Sequence, residues 1–454
     1  MKQYNYIYLI FILNFIACDN FLDIEPTGQV IPKSIEDYRA FLTTAYSTSK
    51  DYKVLTTYRG DELALKSSAS GVEQYKDIFI WNDLNPSPLT RSFPYASLYN
   101  TIFYANHIIN NASTIEGNQI EVNQLVGEAY ALRAMHYFEL ANMYAKPYNK
   151  TSANVDLAVP ITTAYDSEKT YATQTVEKVY ALIISDIEKA ENLINIDTQL
   201  VGYNYRFSKI AVKALKTRIY LYQQEWQKAI DAANEVLILN STIQNLNTTS
   251  TIMPSEYNSV ESILAMETIA DFDLVNNASI SNGLINAYNP LEDLRFSIYF
   301  SKNLDGTYNS KKSADVKFKS SFRTSEVYLT IAECLVQLNK VELAKEQLIN
   351  FTKYRYTLIG WEAYKLKVAS LSSTNLLTEI LEERRREFAI EGHRWNDLKR
   401  TTQQEITKTF EGISYKLEKN DDRYVIPFPN DAVINNPFLK KKKTNCNFFF
   451  SFYL

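Results

Sequence analysis

An aromatic ring followed directly by an amide side chain stands at Trp81 and Asn82, in a segment without a helical hydrophobic pattern. An exposed aromatic ring stacks on the apolar C–H face of a sugar, while neighbouring amides and carboxylates bind the hydroxyls. Three further polar or aromatic side chains lie close in sequence, namely Asp61, Tyr95 and Asn100. We expect this region to contact a ligand, although packed loop aromatics and satisfied turn residues are the structural alternative.

A second candidate group comprises Asn286, Tyr288 and Arg295. Between residues 240 and 319, runs of Asn, Ser and Thr interrupt the helical period, and Gly and Pro residues punctuate the chain. Binding residues are often found in such irregular segments. Tyr288 and Arg295 are therefore further candidate ligand contacts.

Catalytic motifs do not occur in the sequence. It has no Gly-x-Ser-x-Gly elbow, no His-Glu-x-x-His and no glycine-rich phosphate loop. A glycoside hydrolase needs two carboxylates about 5–9.5 Å apart, but 52 acidic residues supply such pairs by chance. His107, His136 and His393 lie in helical stretches, so we expect no metal, no cofactor and no enzymatic activity.

The N-terminal segment indicates export. Lys2 precedes an apolar run that is too short to span a bilayer, which takes about 20 residues, but that fits a signal-peptide core. Ala17 directly before Cys18 suggests a lipoprotein cleavage site, which makes residues 1–17 the signal peptide and Cys18 the lipidated residue. An ordinary cleaved signal peptide is the alternative. The chain has a net charge of -4 and shows no basic face, so we expect no nucleic-acid binding.

The elements that position these residues are predicted to be helices. Residues 176–194 show the clearest 3.6-residue apolar stripe. Tyr220 precedes Ala229 by nine positions, as Leu335 precedes Ala344, which suggests two tetratricopeptide-like helical hairpins. The fold class is therefore all-α, built from such hairpins with irregular, loop-rich insertions at about residues 240–319.

Residues 382–400 read EERRREFAIEGHRWNDLKR. We expect a charged helix continuing to Ile390, with Glu382 and Arg386 paired at i,i+4 and Gly392 ending it in a left-handed conformation. This segment strongly resembles the signature of the SusD/RagB family. Residues 131–138, 323–333 and 424–429, and the start after Cys18, are also similar to that family.

The resemblance implies a lipid-anchored protein of the outer membrane, exposed at the cell surface, that binds oligosaccharides or other nutrients. It also implies a partner, a SusC-like TonB-dependent transporter that receives the nutrient. The resembling region covers residues 18–440. The residues of the motifs that we expect to be structural are Arg133, Arg323, Glu326, Arg386, Glu387, Gly392, Arg394 and Trp395.

Two alternatives to nutrient binding stay open: a tetratricopeptide-type protein–protein adaptor, and a glycoside hydrolase. Residues 441–454 depart from the family pattern, after a run of lysines of the kind that a poly-adenine tract encodes. This tail is either a frameshifted end or a genuine basic and aromatic segment that touches membrane.

Overall fold

The computed structural model of the protein describes residues 32–48, 52–164, 169–249, 251–313 and 315–439. Cys18, the signal peptide and the tail at 441–454 lie outside these ranges. The N-terminal part contains α1 (Ile35–Thr48), α2 (Tyr52–Arg59), β1 (Leu63–Leu65), α3 (Val72–Phe79), α4 (Ala96–Asn110), α5 (Gln119–Tyr144), β2 (Leu157–Pro160), β3 (Thr173–Thr175), α6 (Val176–Leu193), α7 (Lys209–Tyr222) and α8 (Trp226–Leu239).

The remaining part contains β4 (Ser262–Leu264), α9 (Leu274–Asn277), β5 (Ala278–Ile280), α10 (Asn282–Ile285), α11 (Leu294–Tyr299), β6 (Phe300–Lys302), β7 (Tyr308–Ser310), β8 (Phe322–Arg323), α12 (Thr324–Gln337), α13 (Val341–Thr352), α14 (Leu358–Ala369), α15 (Ser373–Glu387), α16 (Arg394–Arg400), β9 (Ile406–Phe410), β10 (Ile413–Leu417), a 3₁₀ turn (Asp422–Tyr424) and α17 (Asn430–Asn435).

Helix α5 is the centre of the N-terminal half. Its first turn is capped by Asn118, whose side-chain oxygen accepts a hydrogen bond from the Ile120 N–H. From Leu125 to Tyr144 nearly every side chain is buried, because α1, α4, α6 and α7 pack around it. A helix buried on all sides shows little amphipathic pattern, so α5 supports its neighbours on several faces at once.

The two predicted tetratricopeptide-like hairpins are present as α7–α8 and α12–α13. Ala229 and Ala344 are fully buried where the second helix of each pair approaches the first. The turn residues Gln224 and Asn339 have φ of 58° and 59°, a left-handed conformation that usually favours glycine. Helix α8 packs on α12, so the hairpins stack on one another as repeat units do. The predicted fold class is confirmed.

The strands described by the structure form five two-stranded antiparallel sheets, β1–β5, β2–β3, β4–β8, β6–β7 and β9–β10. Several pair the loop-rich region with distant segments: Leu63 in β1 opposes Ile280 in β5, and Ser262 in β4 opposes Arg323 in β8. Loops at residues 240–319 are thereby fixed to the helical scaffold.

Helix α15 corrects one expectation from the sequence. It ends at Glu387 rather than continuing to Ile390, and Ile390 itself has φ of 62°. The N–H of Ile390 donates to the buried carboxylate of Glu62 at 3.1 Å instead of to a helical carbonyl. A side chain from the N-terminal half therefore replaces the helical carbonyl as the acceptor for this N–H. Gly392, at φ of 76°, is a second residue in the left-handed conformation.

Candidate functional site

The signature helix supplies a group of buried charges that we call the buried ion-pair cluster. Glu387 lies at its centre, accepting hydrogen bonds from Arg323 Nη1 at 2.5 Å, Arg355 Nε at 2.8 Å and Arg295 Nη1 at 3.0 Å. Burial alone would raise the pKa of Glu387, but the guanidinium groups of Arg355 and Arg323 hold it well below its ordinary value. The other members of the cluster are Glu261, Asp293, Glu383 and Glu391.

Arg386 does not form the predicted i,i+4 pair with Glu382. Its guanidinium contacts Glu383 at 2.7 Å and Glu379 at 2.6 Å, on the buried side of α15. Glu382 lies on the more exposed side, within 3.4 Å of Arg385. Because Arg386 is turned toward the core, the local charge pattern alone did not identify its partners.

The turn after α15 connects the signature to α2. A Cβ on Gly392 would stand 2.6 Å from Lys53 Cβ, so only glycine fits there. Arg394 forms two hydrogen bonds of 2.9 Å with Asp61, and Trp395 stacks on Tyr424 with ring centroids 4.9 Å apart. Asp61, predicted as a ligand contact, therefore holds the signature turn in place.

Two further motif residues, Arg133 and Glu326, connect helices. Arg133 in α5 binds Asp186 in α6 through two hydrogen bonds of 2.7 Å. Glu326 in α12 accepts two hydrogen bonds of 2.6 Å from Arg218 in α7. Both pairs are buried, and both join elements that neighbour each other in the scaffold.

Trp81 is 2% exposed. Its indole N–H donates to the carbonyl of Arg59 at 3.0 Å, and its ring belongs to a small buried cluster that includes Trp395 and Tyr424. Lys408 Nζ lies 4.4 Å from the ring centroid. In this structure Trp81 has almost no surface to offer a ligand, and it supports the turn that leads to Asn82.

Two of the three residues in the second predicted group are also buried, whereas Asn286 is exposed. Tyr288 is 5% exposed and its hydroxyl donates to the carbonyl of Arg386. Arg295 is fully buried in the ion-pair cluster, bonded to Asp293, Glu383 and Glu387. Neither side chain is available at the surface, because the loop-rich region packs them against α15.

Asn82 lies on an open depression of about 500 Å³ between residues 77–93 and 426–433, which we call the proline-rimmed groove. Its rim carries Pro86, Pro88, Pro427 and Pro429, its aromatic side chains are Phe93 and Phe428, and its polar side chains include Asn82, Asp83, Arg91, Asn430 and Asp431. Tyr95 lies beside the groove in a smaller depression of about 280 Å³. Asn100 is exposed on α4 and lines neither of them.

Hydrogen bonds within residues 77–90 fix the groove's shape. Asp77 accepts from the Ser87 N–H at 2.6 Å, the Thr90 hydroxyl at 2.7 Å and the Asn82 amide at 2.8 Å. Asp83 forms two hydrogen bonds with the buried Arg59. These carboxylates are already paired, so the loop is held in one conformation before any ligand arrives.

The other wall of the groove was not predicted as a site. Phe428 is half-buried, and its ring stacks on Tyr144 with centroids 5.3 Å apart and an interplanar angle of 18°. Asn430 and Asp431 follow it and are exposed. An aromatic residue between two prolines was the available signal, since prolines on both sides keep an aromatic side chain in irregular backbone.

A second depression, the tyrosine pocket, has a volume of about 690 Å³. Tyr46 and Tyr52 line it from α1 and α2, while Tyr205 and Tyr257 line it from loops. Glu267 also lines this pocket. None of these residues was a candidate from the sequence, because they come from segments far apart in the chain.

Residues 20–221 match the model of a SusD-like family that is described as starch-binding and associating with the outer membrane. The resemblance to the SusD/RagB family that was read from the signature segment is confirmed. Two relatives from Formosa agariphila are similar to it. SusD-like protein P2 is 24% identical over 96% of this chain and 98% of that protein.

SusD-like protein P38 is 27% identical, over 49% of this chain and 43% of that protein, so this chain spans less than half of P38. A SusD superfamily protein from Bacteroides thetaiotaomicron is similar in structure, with a TM-score of 0.76 and 22% identity, over 90% of this chain and 100% of that one. A laminarin-binding SusD-like protein has a TM-score of 0.64 and 18% identity, over 90% and 99%. At these identities the structural likeness establishes the fold alone.

Proposed function

We propose that the protein binds oligosaccharides, without catalysis, in the proline-rimmed groove and delivers them to a SusC-like TonB-dependent transporter at the outer membrane. The observation that carries the proposal is a preformed groove on a SusD-like scaffold, whose family is described as starch-binding. One of the structural neighbours is a laminarin-binding protein.

The groove has the chemistry that a sugar requires. Phe428 and Phe93 provide apolar surface for C–H faces, and Asn430, Asp431 and Asn82 provide amide and carboxylate groups for hydroxyls. Since the loop at residues 77–90 is internally hydrogen-bonded, it loses little conformational entropy when a ligand binds. A rigid groove with one aromatic wall suits a short stretch of a polymer.

The proposed attachment to the membrane depends on Cys18, outside the described residues. Among the described residues, no helix is long and apolar enough to cross a bilayer. In vivo labelling with a fatty acid tests the anchor: wild type should carry the label, and Cys18→Ala should not. An unlabelled wild type would contradict the lipid anchor. Sugar binding in the groove does not depend on this result and is tested separately.

Affinity electrophoresis and calorimetry against a panel of neutral oligosaccharides test the groove. Phe428→Ala should weaken binding by about tenfold, or about 1.4 kcal/mol, because a stacking ring is lost. Phe438→Ala is a matched control, since Phe438 is 54% exposed and does not line the groove. Asn100→Ala, outside the groove, should also bind normally.

The same panel separates the alternatives. Absence of all saccharide binding together with tight peptide binding would favour an adaptor. Time-dependent release of reducing ends would indicate a hydrolase. Equal affinity of the wild type and Phe428→Ala would exclude the proposed groove while keeping sugar binding.

A further inference from the structure

The tyrosine pocket lies apart from the proline-rimmed groove and shares no lining residue with it. Its wall comes from the ends of α1 and α2, the turn at residues 202–205, and the segments at 257–268 and 316–319. The volume of about 690 Å³ is in the range of small-ligand sites. It is larger than the proline-rimmed groove, which has a volume of about 500 Å³.

Glu267 is a buried acceptor on this pocket. It is 5% exposed, and although burial alone would raise its pKa, Lys53 with the hydroxyls of Tyr52 and Ser321 holds that pKa below the ordinary value. Lys53 Nζ stands 3.1 Å from Oε2 but donates to the carbonyl of Ser320 at 2.6 Å. An ionised carboxylate has about four acceptor positions, so Glu267 retains capacity to accept from a ligand with hydroxyl donors.

Tyrosines surround that acceptor. Tyr205 and Tyr257 are half-buried and present part of their rings, while Tyr46 and Tyr52 are nearly covered. The Tyr46 hydroxyl is already used, because it donates to Glu128 and accepts from the Phe207 N–H. Tyr46 therefore shapes the pocket, and Tyr205 and Tyr257 are the rings that a sugar could touch.

The charges at the opening are positive. Lys319 lines the pocket, is half-buried, and forms no ion pair with any carboxylate in the described ranges. Lys53 and Glu267 neutralise each other in the pocket, so Lys319 leaves the three charged side chains that line it with a net positive charge.

We propose that the tyrosine pocket is a second binding site, specific for a carboxylated sugar such as a uronic acid unit of an acidic oligosaccharide. The sugar hydroxyls donate to Glu267, the ring stacks on Tyr257 or Tyr205, and the sugar carboxylate lies at Lys319. A neutral sugar would leave the positive charge at the opening unused. An amine ligand would be repelled by Lys319.

Calorimetry at low salt tests the site on the mature chain, with trisaccharides of galacturonic, glucuronic and mannuronic acid as probes. The methyl esters of the same three compounds are neutral counterparts with the same ring skeleton. We expect at least one acid to bind at least fivefold more tightly than its ester. Raising the salt concentration should reduce that preference, because charge pairs near a surface are screened.

Lys319→Gln should remove the preference for the acid and leave binding of the ester unchanged. Lys317→Gln is the matched control: it lies two residues away, pairs with Glu256 and does not line the pocket. Tyr257→Ala should weaken binding of both forms, and circular dichroism checks that each variant is folded. Acid preference that survives Lys319→Gln, or no binding of any acid by wild type, overturns the proposal.

Phe428→Ala separates this site from the groove. If the two sites are distinct, the groove variant should bind the acids normally even where it no longer binds neutral oligosaccharides. Loss of acid binding in a folded Phe428→Ala would mean one shared site, and the tyrosine pocket would be rejected. If wild type bound the acids but no neutral oligosaccharide, the proposal for the groove would fail and the proposal for the tyrosine pocket would stand.

Discussion

The buried ion-pair cluster and the proline-rimmed groove use similar side chains for opposite purposes. In the cluster, Arg323 and Arg355 converge on Glu387, and all three are buried. In the groove, Asn430 and Asp431 are exposed. The difference teaches that the signature motif specifies the scaffold, whereas ligand contacts belong to segments outside it.

The carboxylates of the cluster stay ionised because each is buried beside an oppositely charged side chain. Removing a carboxylate from water costs several kcal/mol, and this cost is offset only when opposite charges and hydrogen bonds surround it. Glu387 and Glu383 have pKa values held below the ordinary range by arginines, despite burial. A charge motif of this density would be a poor ligand site, because every group already has a partner.

The strongest test of this comparison removes the centre of the cluster. Glu387→Ala leaves three buried guanidinium groups short of a partner, so the free energy of unfolding should fall by about 3–5 kcal/mol. Glu382→Ala, on the same helix but 34% exposed, should cost less than about 1 kcal/mol. Urea unfolding followed by circular dichroism measures both. Equal losses would show that the cluster is not the structural centre.

A second test separates backbone strain from packing in the signature turn. Gly392 and Gly412 both have a left-handed φ, at 76° and 78°. A Cβ at Gly412 meets nothing within 4 Å, whereas at Gly392 it meets Lys53 Cβ at 2.6 Å and Cα at 2.9 Å. Gly412→Ala should therefore cost about 1–2 kcal/mol, and Gly392→Ala at least about 2 kcal/mol more.

The measurement is again urea unfolding, with both variants compared under one condition. If the two substitutions cost the same, the close contact with Lys53 relaxes easily. The turn would then tolerate side chains, and its glycine would be explained by its φ alone.

A third test uses a buried carboxylate that lies outside the cluster. Glu62 accepts one hydrogen bond, from Ile390, and its Oε2 has no described donor. Burial raises its pKa from 4.5 to about 7. The proton on Glu62 stabilises the folded state fully below pH 4.5, and this contribution is lost as the pH rises through about 7.

We expect Glu62 to lower the unfolding free energy of wild type by on the order of 2–3 kcal/mol between pH 5 and pH 8. Glu62→Gln should remove that part of the slope, because glutamine does not titrate. Glu362→Gln, at an exposed residue that pairs with Lys365, is the control that should leave the slope unchanged. A Glu62→Gln curve parallel to wild type would mean that the carboxyl is already ionised at pH 5.

The sequence carried enough to predict the helical scaffold and the family, because both depend on local patterns. The stripe at residues 176–194 became α6, whose Val176, Tyr180 and Ile183 are buried. The predicted end of α15 at Ile390 was wrong, because the Ile390 N–H donates to Glu62, which lies 328 positions earlier in the chain. Local patterns contain no information about such partners.

The candidate site shows the same limit. Asn82 lies on the groove as a loop residue, but Trp81 beside it is covered by Trp395 and Tyr424 from the C-terminal region. Whether a loop aromatic is exposed depends on which distant segment packs on it. The opposite wall, at Phe428, belongs to a stretch that we had used only to identify the family.

The smallest expected effect decides whether Trp81 belongs to the scaffold or to the groove. Trp81→Phe keeps most of the ring but removes the indole N–H that donates to the Arg59 carbonyl. That carbonyl still accepts from Lys408 Nζ at 3.1 Å, so the loss of stability should be only about 1 kcal/mol. Oligosaccharide affinity should change less than twofold, since the ring is 2% exposed. A folded Trp81→Phe with tenfold weaker binding would mean that the groove opens to expose this ring. Trp81 would then belong to the ligand-binding surface and not to the buried scaffold.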